Sequence, residues 1–213
     1  MSRYVVPPGA RIFCIGRNYA KHIEELGHQD AAKCVVFMKP ATSLMPPGAS
    51  LRLPRDQGAV HHEAELVVMI GQGGTSIPRE KALGHIGGVT LGLDLTLRDL
   101  QNRLKSEGSP WERCKAFDGS APIGELQAYE DSLDLTNLEF TCSVNGEVRQ
   151  RGNTKDMLYP VAQLIEILSD TWGLQAGDLI FTGTPEGVGP LASGDRIELA
   201  AASLNLVANW SVA

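Results

Sequence analysis

The chain has no Cys-x-x-Cys pair, no run of Lys and Arg, no apolar stretch of membrane-spanning length and few aromatic residues. Each absence excludes something. The four cysteines (Cys14, Cys34, Cys114, Cys142) are too scattered for a disulfide framework or a zinc knuckle, so they read as reduced thiols of a cytoplasmic protein. Without a basic block, and with a net charge of -6, the chain lacks what a nucleic-acid surface requires. The opening Met1-Ser-Arg-Tyr-Val-Val-Pro-Pro8 has no long apolar core, so neither a secretory signal nor membrane insertion is expected. Repeats and low-complexity tracts are also missing. What remains, 213 residues with 43% hydrophobic content, fits one globular domain of ordinary size, or a core domain with a small appendage.

Strand signals dominate. Arg11 to Gly16, Val35 to Met38, the 62–70 stretch, Ile86 to Leu95, Leu179 to Thr182, Arg196 to Leu199 and Leu204 to Trp210 all read as strands. Asn145-Gly146 between strand-like flanks is the preferred two-residue hairpin turn. Helices are few and short. Asn18 reads as the cap of one over Tyr19 to Leu26, ending at Gly27; others are expected at Pro78 to Leu83, Leu97 to Lys105 and Met157 to Leu168. In the last of these Leu164, Ile167 and Leu168 share one side.

Against this background Glu63-Ala64-Glu65 stands out, because it opens the apolar run Leu66 to Ile70. Residues i and i+2 of a strand point to one face, and two carboxylates beside a buried stretch repel each other unless a partner is supplied. Asp94 interrupts a second apolar stretch, Val89 to Leu97. Three such carboxylates fit a hard divalent cation held by oxygen ligands. A solvated strand face opposite Lys or Arg would also accommodate the Glu pair, and a bulge or edge the Asp.

Other candidates come in pairs of readings. His22 and Glu25, three apart, share a helix face; they fit a His oriented as a general base, or a surface ion pair. Arg98 and Gln101 follow Asp94 and fit a grip on a substrate carboxylate, or an exposed first helical turn. Lys115 sits among apolar and aromatic residues, as an enolate-stabilising lysine or a snorkelling one. Phe181-Thr-Gly-Thr-Pro-Glu-Gly-Val-Gly189 could bring backbone N–H groups and the Thr184 hydroxyl to an anion, or simply join two strands. It matches neither a Walker loop nor a dinucleotide fingerprint.

Taken in order, Ile12-Phe-Cys-Ile-Gly-Arg-Asn-Tyr-Ala-Lys-His22, His62-Glu-Ala-Glu-Leu66, Leu93-Asp-Leu-Thr-Leu-Arg-Asp-Leu-Gln101, Val144-Asn-Gly-Glu147 and Gly177-Asp-Leu-Ile-Phe-Thr-Gly-Thr-Pro-Glu-Gly-Val-Gly189 resemble the fumarylacetoacetate hydrolase family. The resemblance implies a mixed β-rich (α+β) fold, the β-sandwich roll of that family's C-terminal-domain type with a few short helices. It implies a single catalytic domain over 1–213, with an N-terminal strand and lid segment over about 1–50 and the roll over about 51–213. By the same resemblance the protein is a homodimer with magnesium, or manganese, on Glu63, Glu65 and Asp94. His22 and Glu25 match a lid pair and Lys115 a catalytic lysine, while Arg17, Arg98, Gln101 and Thr184 would hold a small 2-oxo acid. Thr96 stands where many relatives have Ser, a change expected to leave the metal undisturbed. The length resembles small members that cleave the C–C bond of acylpyruvate-type 2,4-dioxo acids or decarboxylate oxaloacetate. A keto-enol tautomerase or isomerase on the same scaffold is the alternative, and a non-catalytic metal- or diacid-binding protein is the alternative of another class.

Overall fold

The computed structural model describes residues 6–25 and 34–213. Ten strands carry the architecture: β1 (Ile12–Gly16), β2 (Val35–Lys39), β3 (Val60–His62), β4 (Ala64–Ile70), β5 (Ile86–Leu93), β6 (Glu139–Val144), β7 (Glu147–Asn153), β8 (Leu179–Phe181), β9 (Arg196–Ala201) and β10 (Leu206–Val212). In the larger sheet the order is Gln127–Ala128, β5, β4, β8, β1, β2. Its pairs are antiparallel apart from β1 with β8. The second sheet runs β7, β6, β9, β10, then Ser50–Leu51. β9 and β10 pack on β5, and β6 on β4, which makes the mixed, helix-poor sandwich expected of the sequence.

The strand sequences explain their places. β4 is buried along its whole length, as a near-continuous apolar run with both faces covered must be. β10 alternates instead: Leu206, Ala208, Trp210 and Val212 face the core, while Val207, Asn209 and Ser211 face out. At the centre, Gly92 on β5 leaves room for the Phe181 ring, since a Cβ there would lie 2.8 Å from it. The hairpin at Asn145-Gly146 forms as expected, with φ of 55° and 80° that suit a primed turn.

The helices are α1 (Ala20–Glu25), α2 (Arg98–Glu107), α3 (Glu112–Lys115) and α4 (Val161–Thr171). Three differ from expectation. Asn18 does not cap α1; its amide donates to Tyr159 O (3.0 Å) and Thr182 O (2.7 Å) and accepts from Tyr159 N (2.7 Å), bracketing two loops instead. The expected end of that helix at Leu26 and Gly27 lies outside the described residues. Helix α4 begins at Val161 rather than Met157, because a residue before proline, here Tyr159, is pushed out of helical geometry. Its buried side therefore carries Val161, Leu164, Ile165 and Leu168, with Ile167 only half-buried. The 78–83 segment is a 3-10 helix, Arg79–His85, packed on α4. α3, too short to leave a periodic pattern, had no sequence signal.

Two junctions set the positions of acidic side chains. Strand β5 ends at Leu93, so Asp94 lies just past it, on a turn leading to Thr96–Leu97 and α2. Glu63 lies between β3 and β4, and Asp94 N donates to its backbone carbonyl (2.8 Å).

Candidate active site

Glu63, Glu65 and Asp94 converge at the end of the β4–β5 pair. Each can offer one carboxylate oxygen to a cluster within 4.8 Å, and all three side chains are buried. The i, i+2 relation delivers the two Glu side chains, and the register of β4 on β5, with Ala64 opposite Leu93, brings in Asp94.

Cations surround this cluster. Lys115 Nζ donates to Glu63 Oε2 (2.7 Å) and Asp94 Oδ2 (2.5 Å), bridging them. Arg98 donates through Nη2 to Glu63 Oε1 and through Nη1 to Gln101 Oε1 (2.6 Å). Lys39, from the end of β2, donates to Ser120 O (2.8 Å) and sets Nζ 2.8 Å from Asp94 Oδ1, off the angle of a hydrogen bond. Burial alone would raise the Glu63 carboxyl; Lys115 and Arg98 outweigh it and hold the group well below the usual carboxylate range. Burial alone would likewise lower the Lys115 ammonium, and Asp94 and Glu63 raise it instead.

Glu65 is the exception. Its Oε2 accepts from Gly183 N (2.7 Å), but among the described residues it has no ammonium or guanidinium within ion-pair distance. Burial, and then the charges of Asp94 and Glu63, push its carboxyl well above the ordinary range. Glu65 is thus the carboxylate of an all-oxygen cluster that lacks a cationic partner among the described residues, and Asp94 Oδ1 accepts no hydrogen bond among them. A hard divalent cation fits both observations.

One cavity opens onto the cluster, and His22, Arg17, Gln101, Lys105, Trp111 and Thr184 contribute to its walls. His22 is buried on α1, and its Nδ1 lies 3.0 Å from Glu25 Oε2, a geometry that suits the tautomer whose Nδ1–H donates to the carboxylate oxygen and whose Nε2 is free to accept a proton. Glu25 Oε1 accepts from Gly187 N (3.0 Å), which ties α1 to the glycine-rich loop. Arg17 sits at a φ of 62°, and its buried Nε has no partner among the described residues. The Thr184 hydroxyl donates to Ala64 O (2.8 Å) and accepts from Gln150 Nε2 (2.9 Å), so its single proton is already engaged.

All ten candidates from the sequence thus lie in or beside one cavity, with Glu25 reaching it through His22. Lys39 was missed, since a lysine before Pro40 reads as the end of a strand; a lysine closing an otherwise apolar strand was the available signal. Gln150 was missed too. Its amide accepts from His62 Nδ1 and Ala64 N (both 3.0 Å) and donates to Thr184 and Pro185, pinning the loop that carries Gly183 to the strand that carries Glu65.

The fumarylacetoacetate (FAA) hydrolase C-terminal model matches residues 11–210. The chain belongs to the fumarylacetoacetate hydrolase family. Among relatives in this family, oxaloacetate tautomerase YcgM of Escherichia coli is 46% identical over 191 residues, covering 89% of this chain and 87% of the relative. Oxaloacetate decarboxylase of Dictyostelium discoideum is 39% identical over 191 residues, covering 89% and 88%. A solved structure of fumarylpyruvate hydrolase from Pseudomonas aeruginosa, in complex with Mn2+ and pyruvate, superposes with a TM-score of 0.91 at 40% identity, covering 96% of this chain and 90% of that one. Among the described residues, no helix is long and apolar enough to cross a membrane.

Proposed function

We propose that this family member is a divalent-cation-dependent catalyst of reactions at the C3 carbon of small 2-oxo acids, chiefly cleavage of the C3–C4 bond of acylpyruvate-type 2,4-dioxo acids. The observation that carries it is the His22–Glu25 pair on the wall of the cavity that holds the carboxylate cluster. Glu63, Glu65 and Asp94 would hold magnesium or manganese, and the bound ion would polarise the 2-oxo carboxylate head and offset enolate charge. The manganese and pyruvate of the Pseudomonas relative agree with that assignment. The reading takes 1–213 as one catalytic unit and the protein as a cytoplasmic homodimer.

The side chains then divide the work. His22 Nε2 takes a proton from water, whose oxygen bonds to C4. The C3–C4 bond breaks and its electron pair becomes the pyruvate enolate, while C4 leaves as a carboxylic acid. His22 returns the proton to C3. Lys115 and Arg98, anchored on Glu63 and Asp94, stand where they can stabilise the negative charge that develops on the head. Gln101 holds Arg98 in place. Loss of carbon dioxide from oxaloacetate gives the same enolate without water.

A second reading, tautomerisation of oxaloacetate, is favoured by the name of the Escherichia coli relative. It needs only the proton-transfer half: a base removes a C3 proton and the enol oxygen is protonated. The experiment is to measure, with magnesium and with chelator, acetylpyruvate cleavage, pyruvate release from oxaloacetate, and decay of the oxaloacetate enol absorbance. Magnesium-dependent acetylpyruvate cleavage is expected. Enol decay alone would replace the hydrolase by the tautomerase, and no magnesium-dependent turnover of either acid would refute both.

A further inference from the structure

A cavity of about 450 Å³ lies against the end of the glycine-rich loop, with Gly187, Val188 and Gly189 in its wall. It shares no lining residue with the cavity at the carboxylate cluster. His62, only 2% exposed, forms part of this wall, and Gln150 fixes its tautomer. Gln150 Oε1 accepts from Ala64 N and its Nε2 donates to Pro185 O, so two backbone groups settle which way the amide points. An amide oxygen can only accept. His62 Nδ1, 3.0 Å from that oxygen, therefore carries the proton, and in the neutral ring Nε2 carries a lone pair. Nε2 has no hydrogen-bond partner among the described residues. It faces Gly189 of the cavity wall, where an added Cβ would lie 3.3 Å away.

Two opposite charges line the same cavity. Arg149 is the extra residue of a β-bulge, since Cys142 pairs with Gln150 but Ser143 with Val148. Bulges re-aim side chains, and this one belongs to the cavity wall. Arg149 Nη2 meets Glu147 Oε2 at 2.9 Å, but the two side chains are 49% and 70% exposed, so another carboxylate displaces that pair at little cost. Asp195 accepts from Asn145 Nδ2 (2.8 Å) on one oxygen and from Ala192 N (2.7 Å) on the other, which leaves lone pairs on both. Val144, Val188 and Pro190 add apolar surface. The wall offers a guanidinium, a carboxylate and a buried acceptor that requires a donor.

We propose that this cavity is a second ligand site, for a zwitterionic α-amino acid. Its ammonium donates to His62 Nε2 and Asp195, its carboxylate meets Arg149, and its side chain lies on the two valines. A plain anion would face Asp195 and leave Nε2 without a donor; a plain amine would leave Arg149 on Glu147. The inference stands apart from the metal reading, because no carboxylate of the cluster lines this cavity.

The test is equilibrium dialysis of labelled L-alanine, L-valine, L-leucine and L-phenylalanine against manganese-loaded and chelator-treated protein. At least one is expected to bind at millimolar concentration or below, with the same affinity in both preparations. Each is compared with the matching acid that lacks the ammonium and the matching amine that lacks the carboxylate, for leucine 4-methylpentanoate and 3-methylbutylamine. Both should bind more weakly by roughly tenfold or more, the scale of one charge-assisted hydrogen bond. Arg149→Met should weaken the amino acid by a similar factor and Arg149→Lys by less; the side chain is exposed, so both variants are expected to fold. No binding by any of the amino acids, an acid or amine that binds as tightly, or an affinity that survives Arg149→Met would overturn the site. So would binding that requires manganese, since it would place the ligand at the carboxylate cluster.

Discussion

Lys115→Met would show what holds the carboxylate cluster together. The ammonium is 3% exposed and bridges Glu63 Oε2 and Asp94 Oδ2 at 2.7 and 2.5 Å. Methionine fills similar volume but leaves those oxygens without their shared donor. Removing one partner of a buried ion pair costs about 3–5 kcal/mol, because the other is left uncompensated. For a chain of this size that lowers Tm by roughly 6–20 °C. Arg98 and Lys39 remain nearby, which argues for the lower half of that range. The assay is thermal unfolding in chelator and again in saturating manganese. A cation that binds only the folded state adds stability by linkage. In the variant it also supplies the charge that the lysine supplied, so manganese should raise Tm more in Lys115→Met than in wild type. A drop of less than about 2 °C in chelator, or an equal manganese increment in both proteins, would refute the reasoning.

Two other substitutions probe the proposed catalytic pair, His22 and Glu25, and the loop behind the cluster. His22→Ala should lower acetylpyruvate cleavage by roughly a hundredfold or more, the usual worth of a positioned general base, and oxaloacetate decarboxylation far less; equal loss in both assays would remove the water-activating role. Gly183→Ala places a Cβ 2.7 Å from Asn18 Cβ at a φ of +101°, so the loop must shift and take with it the N–H that Glu65 accepts. Manganese affinity should fall by about tenfold, as for other groups that orient a ligand from behind, and an unchanged titration curve would show that this N–H does not orient Glu65.

Much of the site was legible because its signals are local. Glu63 and Glu65 are one strand period apart, His22 and Glu25 one helical turn, and Asp94 breaks an apolar run. The residues that escaped act through long-range or backbone contacts. Lys39 reaches Asp94 across 55 positions, and Gln150 links His62, Ala64 and Thr184 from a different sheet. Gly183 and Gly187 serve through their N–H groups, which carry no side-chain signature. Asn18 was misread for the same reason: a good cap in the sequence, it finds better partners in Thr182 and Tyr159, which only the fold brings near. Strand positions came out within a few residues, since β4 and β10 carry the apolar patterns that their burial demands.

The central claim is that Glu63, Glu65 and Asp94 together bind one divalent cation. Titration of chelator-treated protein with manganese, followed by the loss of the free-ion paramagnetic signal, measures this without any substrate. The account predicts one site per chain in the wild type and loss of that site in Glu65→Gln, with the far-ultraviolet circular dichroism unchanged. Wild-type affinity in a folded Glu65→Gln protein would contradict it.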